Sequence, residues 1–437
     1  MHPVAGLLLV ALYLVLALVP LGVALSAPRP AGASFRLELS LALGFIGLGQ
    51  LALQFGLIAR FRRISRPLGI DLVMQWHRQV GIVAALIVIA HPLVLRVWQP
   101  ASLGPLYPLA GDVAGTTGVV ALLCILVLIA LSVWRRQLGL GYETWRVTHA
   151  LLGITAMLLA QVHVTRMGRY ANASWKNIAL WLWCLAFIAL IAYLRLVKPV
   201  LLKRRAWHVA DVRREAGETW SVVLQPDHHA GLTFSPGQFA WIKVGRSPWS
   251  VDEHPFSFSS SGEHPERIEF AISELGDFTG RIGSVRTGAP VYVDGPHGSF
   301  SCDFAPARRF VFVAGGIGIG PILSMVRTLA DRGDARPITL VYACGSWERV
   351  AFRDELVKRS QRAGFTLVWV FEQAHAGWAG AVGYVTRDLM APLVAADQGD
   401  TRYMICGPDA MMTAVERILD DLHVPAQRID LERFNLV

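Results

Sequence analysis

The sequence predicts a chain in two halves: six apolar α-helices that cross a membrane, then a soluble half made of an antiparallel β-barrel and an α/β domain with a parallel sheet. Three observations predict it. Apolar runs long enough to span a bilayer are confined to residues 1–203. Four histidines fall inside those runs as two pairs, His77 with His91 and His149 with His163, each pair fourteen residues apart. Beyond Ala206 the pattern changes to short alternating strands broken by Gly and Pro, and after Pro306 to strand–helix–strand units.

Composition agrees with this division. The 437 residues leave room for two or three domains, and a hydrophobic content of 54% is too high for an ordinary soluble chain of this length. Lys and Arg number 41 against 32 Asp and Glu, a formal net charge of +9. The excess clusters beside the apolar runs, so topology explains it and nucleic-acid binding is not indicated. The five cysteines (Cys124, Cys184, Cys302, Cys344 and Cys406) are scattered with no CxxC spacing. That argues against a disulfide framework and an iron–sulfur cluster, and points to organic cofactors or haem as electron carriers.

The six spans are expected at about 4–25, 37–59, 72–95, 116–134, 145–166 and 176–197. The first reads as an uncleaved helix, because its apolar core is too long for a signal peptide and no basic segment precedes it. Arg60, Arg62, Arg63 and Arg66 follow the second span; Arg135 and Arg136 follow the fourth, with Arg146 at the start of the fifth; Lys198, Lys203, Arg204 and Arg205 end the sixth. By the positive-inside rule these ends are cytoplasmic, as are both termini, with Arg29, Arg36, Arg96, Arg166 and Arg169 the minority outside. The third and fifth spans then run in the same direction.

Fourteen residues of helix advance about 21 Å and turn about 1400°, four turns less ~40°. Each pair of histidines therefore points to nearly one face, with one imidazole near each side of a ~30 Å hydrocarbon core. Depth pairs His77 with His149 at the inner level and His91 with His163 at the outer level. Interhelical hydrogen bonding would account for a single intramembrane histidine. Matched spacing on two helices points instead to two stacked bis-histidine haem sites. Arg78 and Arg146 at the inner level, and Arg96 and Arg166 at the outer, are placed for haem propionates or simply for snorkelling to the interface. Pro92 follows His91 and predicts a kink there.

The barrel is expected over residues 204–305 and the α/β domain over 306–437. Within the barrel, His254-Pro255-Phe256-Ser257-Phe258-Ser259 is an aromatic–hydroxyl strand that can lie along a flavin ring, although read alone it is equally a core strand. Gly276-Asp277-Phe278-Thr279-Gly280 opens a short helix, a pattern that offers N–H groups to a diphosphate or makes an ordinary turn. Asp294-Gly295-Pro296-His297-Gly298 is a further tight turn. A buried strand at Phe310–Ala314 leads into Gly315-Gly316-Ile317-Gly318-Ile319-Gly320-Pro321 and an apolar helix. Such a turn lets a pyrophosphate approach the backbone, though Pro321 stands where the dinucleotide motif has its last glycine. Strands at Ile338–Tyr342, Thr366–Val370 and Arg402–Ile405 follow, the last ending in Cys406-Gly407-Pro408.

Taken together, the two fourteen-spaced His pairs, the H-P-F-S-F-S strand, G-G-I-G-I-G-P, C-G-P and a C-terminal aromatic resemble the NADPH oxidase and ferric reductase superfamily over essentially the whole chain. The resemblance implies a six-helix di-haem domain over residues 1–203 and a ferredoxin-reductase-like soluble half. His254 and Phe256 replace the Arg and Tyr usual in that soluble fold. It implies that Phe256 and Ser257 contact FAD and that Thr279 and its neighbours hold its pyrophosphate. Gly316, Gly318 and Pro321 would cradle the nicotinamide nucleotide, with Cys406 near the hydride-bearing carbon. Phe434 would stack on the flavin and yield to nicotinamide.

The expected path runs from cytoplasmic NAD(P)H through FAD, the inner haem and the outer haem to a small-molecule acceptor outside the inner membrane. Dioxygen, giving superoxide, is favoured over a ferric chelate, because a bis-histidine haem can reduce it without a dedicated pocket. Transfer to an outside partner protein and a nucleotide-sensing channel are the other readings. Ser346 and Arg349 after the second parallel strand can bind a 2′-phosphate, with Glu348 opposing them, so NADPH is expected over NADH. No EF-hand pattern occurs, so constitutive activity without an obligate protein subunit is the expectation.

Overall fold

The computed structural model describes residues 3–26, 34–59, 70–98, 100, 112–304, 306–397 and 399–433. Arg29, Arg60, Arg62, Arg63, Arg66 and Phe434 lie outside them. The chain divides into two compact units, Met1–Lys198 and Pro199–Val437.

The first unit is helical. Helices α1 (Pro3–Ala17) and α2 (Val19–Leu25) meet at a 41° bend, with Pro20 at the start of α2. Helix α3 (Phe35–Leu57) is capped by the Ser34 hydroxyl, which accepts from Leu37 N at 3.3 Å. Helices α4 (Ile70–Trp98) and α5 (Val113–Val133) follow, and Asp112 Oδ1 caps α5 by accepting from Gly115 N at 2.8 Å. Helix α6 (Tyr142–Met167) ends at Gly168 with φ 65°, the left-handed conformation that closes helices on glycine. Helix α7 (Ser174–Ala192) passes through a π turn at Tyr193–Val197 into α8 (Lys198–Lys203). Among the described residues five helices are long and apolar enough to cross a membrane, or six if the bent α1–α2 pair is one span.

These helices turn apolar side chains outward, among them Leu123, Leu126 and Val127 of α5 and Leu182 and Leu185 of α7, as a lipid-facing surface does. Inside, small residues let backbones approach. A Cβ at Gly49 of α3 would lie 2.2 Å from the Ala17 carbonyl of α1, and one at Gly47 would lie 2.7 Å from Val88 Cγ2 of α4. Helix α3 packs along α4, and α5 along α6.

The second unit begins with an antiparallel sheet of six strands: β1 (Trp207–Arg214), β2 (Thr219–Pro226), β3 (Phe239–Val244), β4 (His254–Ser257), β5 (Ile268–Ser273) and β6 (Pro290–His297). They are ordered β4-β3-β6-β1-β2-β5 around a core of Val222, Leu224, Ile242, Phe258 and Phe270. A parallel sheet follows: β7 (Arg309–Gly315), β8 (Ile338–Cys344), β9 (Phe365–Phe371), β10 (Ala381–Val382), β11 (Thr401–Cys406) and β12 (Ile429–Glu432). Helices α9 (Ile319–Asp331), α10 (Arg353–Ser360), α11 (Arg387–Ala395) and α12 (Asp409–Asp421) connect them. Phe310 to Ala314 of β7 are all fully buried, the unbroken apolar run expected of a central parallel strand. The order β10-β9-β8-β7-β11-β12 reverses between β7 and β11, and ligands bind α/β sheets at such a switch point.

Candidate functional site

The helical unit brings the four histidines together in the pairs that depth predicts. The ring centroids of His77 and His149 lie 6.3 Å apart, and so do those of His91 and His163. Two metal–imidazole bonds of about 2.0–2.1 Å, plus ~1.1 Å from each ring nitrogen to its centre, require about 6.3 Å. Both pairs therefore have the separation of axial ligands on one iron.

At the outer level the protein fixes both imidazoles through main-chain atoms. His91 Nδ1 donates to the Ser40 carbonyl at 2.7 Å, and His163 Nδ1 donates to the Ala114 carbonyl at 2.7 Å. Each Nε2 is thereby left available to a metal, and each ring is oriented from behind. Glycines make room: a Cβ at Gly44 would lie 3.2 Å from His91 Nδ1, and one at Gly118 would lie 2.7 Å from His163 Nδ1.

The inner level repeats this scheme fourteen residues along each helix, with changes. Gln54 stands fourteen residues after Ser40, but among the described residues no hydrogen bond to His77 Nδ1 is made that matches the one Ser40 gives His91. Leu128 stands fourteen after Ala114, but its carbonyl accepts from Ser132 Oγ at 2.7 Å. Ser132 occupies the position of Gly118, and its Oγ lies 3.1 Å from His149 Nδ1. Trp145 Nε1 also donates to that hydroxyl at 3.2 Å, which uses its one proton and both lone pairs. Of the four arginines considered for propionates, Arg78, Arg96 and Arg166 are exposed, while Arg146 is partly buried against Tyr142.

In the barrel, β4 pairs with β3 and carries the aromatic–hydroxyl segment. His254 stacks on Phe278 at 4.2 Å and Phe256 lies 6.0 Å from the same ring, so the strand and the Gly276–Gly280 turn share one aromatic face. Ser257 Oγ is buried beside Phe256 with no hydrogen-bond partner among the described residues, as a group reserved for a ligand would be. Three expectations change. Phe258 is fully buried in the barrel core, stacked on Phe234 at 4.1 Å, so its side chain has no cofactor-facing surface. Ser259 is likewise buried and donates to Glu269 at 3.2 Å. Thr279 Oγ1 accepts from Leu275 N and Gly276 N at 2.8 and 2.9 Å, so these two N–H groups close the turn instead of facing a diphosphate.

At the switch point the two glycine turns meet. A Cβ at Gly318 would lie 2.1 Å from the Cys406 carbonyl, and one at Gly407 would lie 2.9 Å from Gly315 Cα. Gly316 adopts φ 52°, and Pro321 sits in the first turn of α9. The Cys406 side chain is fully enclosed and Gly407 is buried, while Pro408 at the end of that turn is exposed. Beyond β8, Arg349 Nη2 lies 3.6 Å from Glu218 Oε2. The Ser346 hydroxyl, close to the exposed Glu348 carboxyl, helps hold that group below its usual range. Both residues expected at a 2′-phosphate are thus already facing carboxylates.

One network joins the two sheets and gave no signal in the sequence. Arg327 of α9 donates to Glu269 of β5 at 2.8 Å, to the Ser259 carbonyl at 2.9 Å and to Glu355 of α10 at 2.6 Å. Glu269 is 2% exposed and also receives Arg213 Nη2 at 3.3 Å.

Comparison with known proteins follows the same division. Residues 43–160 match the ferric reductase like transmembrane component, residues 206–301 an FAD-binding domain and residues 312–417 an oxidoreductase NAD-binding domain. A flavohemoprotein of Deinococcus radiodurans is 31% identical over 248 residues, covering 53% of this chain and 59% of its own length. An NADH-cytochrome b5 reductase 1 of Laccaria bicolor is 30% identical over 165 residues, 36% of this chain and 54% of its own. The chain thus spans between half and two thirds of these relatives. Among solved structures, the cytochrome b5 reductase domain of Ulva prolifera nitrate reductase aligns with 19% identity and a TM-score of 0.47, covering 53% of this chain and 97% of that domain.

Proposed function

We propose, from the premise that this chain is an oxidoreductase with the architecture of the NADPH oxidase and ferric reductase superfamily, that it carries electrons from NAD(P)H across a membrane to an acceptor on the far side. The observation that carries the reading is the equal 6.3 Å separation of the two histidine pairs. When bound, FAD converts a hydride into single electrons and two b-type haems relay them, chemistry that belongs to the cofactors.

The chain's residues bind and orient. His77 with His149, and His91 with His163, would hold the two haem irons, and the Ser40 and Ala114 carbonyls keep the outer two in the tautomer that leaves Nε2 available. The Ser257 hydroxyl offers its unused hydrogen bond to the polar edge of the flavin, beside the face formed by Phe256, Phe278 and His254. The Gly315–Gly318 and Gly407-Pro408 turns admit the nucleotide at the switch point. NADPH would have to draw Arg349 and Ser346 away from Glu218 and Glu348, so the two nucleotides are to be compared directly.

In this reading the chain has three modules, residues 1–203, 204–305 and 306–437. It crosses the inner membrane six times with the soluble modules in the cytoplasm, and its acceptor is dioxygen, reduced to superoxide.

The test is an anaerobic visible spectrum of the purified protein with FAD and either nucleotide, followed by air. Haem bands that appear and then vanish quickly, with superoxide formed, support the reading. Slow reoxidation moves the acceptor to ferric chelates. A protein without haem overturns it. His91→Leu should abolish transfer to the outer acceptor and spare flavin reduction.

A further inference from the structure

The two histidine levels are built on one repeat, and the repeat breaks most sharply at Ser132. The four helices α3 to α6 present the same kinds of position twice, fourteen residues apart: carbonyls at Ser40 and Gln54 behind α4, and at Ala114 and Leu128 behind α6. At the outer level Gly118 leaves His163 free to seat on the Ala114 carbonyl, because any Cβ there would lie 2.7 Å from Nδ1 and 2.9 Å from Cε1. At the inner level that Cβ is present, as Ser132, and His149 bonds to the hydroxyl instead of the Leu128 carbonyl.

The change is chemical as well as steric. A carbonyl accepting Nδ1–H at 2.7 Å draws the proton off the ring and makes the imidazole a stronger donor to its metal. A hydroxyl at 3.1 Å that already receives the Trp145 indole N–H is a weaker acceptor. Stronger imidazole donation favours ferric iron over ferrous. His77 carries the same bias, since among the described residues its Nδ1 has no hydrogen-bond acceptor of the kind that Ser40 gives His91.

We propose that Ser132 is a positioning residue that makes the inner bis-histidine site easier to reduce than the outer one, by replacing a main-chain acceptor behind His149 with a shared hydroxyl. The inference rests on the haem-ligand reading above. The step concerned is the addition of one electron, supplied by reduced flavin, to ferric iron to give ferrous iron; no proton moves and no bond breaks. An inner site of higher potential holds the electron until the outer site has been emptied by the acceptor.

The experiment is a potentiometric titration of the full-length protein in detergent, followed at the b-type absorbance bands, with His91→Leu used to assign the wave of the inner site. The unmodified protein should show two one-electron waves, the inner higher. Ser132→Gly should let His149 reach the Leu128 carbonyl and lower the inner wave alone. The expected size is roughly tenfold in the ferric–ferrous equilibrium, ~59 mV for a one-electron couple. Ser132→Ala keeps the blocking Cβ but removes the acceptor, and should raise the same wave, which serves as the second test if the glycine variant loses haem. Waves unmoved by both substitutions, or both waves moving together, overturn the proposal. Absence of haem from the unmodified protein overturns the ligand reading itself, a distinct outcome visible before any titration.

Discussion

The two units hold their buried polar groups by opposite means. In the helical unit the histidines lean on neutral partners, the Ser40 and Ala114 carbonyls and the Ser132 hydroxyl, and glycines supply the room. In the soluble unit the joint between the sheets is ionic, with Arg327 reaching Glu269, Glu355 and the Ser259 carbonyl at once. The difference follows from the solvent. Charges inside an apolar layer are costly, so orientation there is set by main-chain acceptors and volume. Beside water a fully bonded ion network is sustainable, but removing one member leaves a buried charge uncompensated. The helical unit should therefore be sensitive to a single methyl group, and the soluble unit to a single charge.

The largest expected effect is on the ionic joint. Arg327→Met keeps most of the volume and leaves Glu269, 2% exposed, without its main cation. The soluble unit should lose about 3 kcal/mol of stability, read as earlier thermal release of flavin fluorescence. A loss under ~1 kcal/mol would mean the network contributes no more than a surface ion pair and would undo the contrast.

Next is Gly118→Ala. Its Cβ would stand 2.7 Å from His163 Nδ1, so the ring held to the Ala114 carbonyl, or the helices around it, must shift. Occupancy of the outer site should fall ten- to a hundredfold in affinity. The haem-to-protein ratio, measured by pyridine haemochrome, should drop from two toward one. Retention of both haems would show that the helices yield more easily than the packing implies.

Acid separates the units on a smaller scale. Burial raises the Glu355 carboxyl, but hydrogen bonds and charge from Arg327 and Arg359 outweigh it and hold the group below its ordinary value of 4.5. A depressed carboxyl contributes stability that is fully present above the unfolded pKa and is lost as pH falls through the lower folded value. The soluble unit should thus weaken below about pH 4.5, and Glu355→Gln should flatten that slope in a pH series of unfolding midpoints. An unchanged slope would assign the acid sensitivity elsewhere.

How much of this was legible in the sequence depends on whether a side chain announces its partner. The histidine pairing was legible, because helix periodicity fixes face and depth. The meeting of Gly315–Gly318 with Cys406–Pro408 was legible, because strand ends in a parallel sheet converge. The carbonyls of Ser40 and Ala114 were not, since every residue carries a carbonyl and only helix register selects one. Phe258 and Ser259 were read with Phe256 and Ser257 as a single strip. Which of these side chains the barrel encloses depends on pairing with remote residues, and the bridge from Phe258 to Phe270 buries the former. Arg349 had the right charge for a phosphate, but Glu218, which it faces, lies on a hairpin turn 131 positions earlier.

The smallest effect gives the finest test of the contrast. Gly44 lies behind His91 as Gly118 lies behind His163, but its Cβ would stand 3.2 Å from the ring, not 2.7 Å. A few tenths of an ångström of movement would relieve the contact. His91 is tied to Ser40 through both the carbonyl at 2.7 Å and the hydroxyl at 3.0 Å, so the ring can tilt without losing its acceptor. Gly44→Ala should therefore keep both haems and displace the His91 ring only slightly, seen as a small shift of the outer wave in the potentiometric titration. If Gly44→Ala empties the outer site as completely as Gly118→Ala, then volume alone governs that level. The carbonyl acceptors would then be secondary, and the neutral-partner half of the comparison would fall.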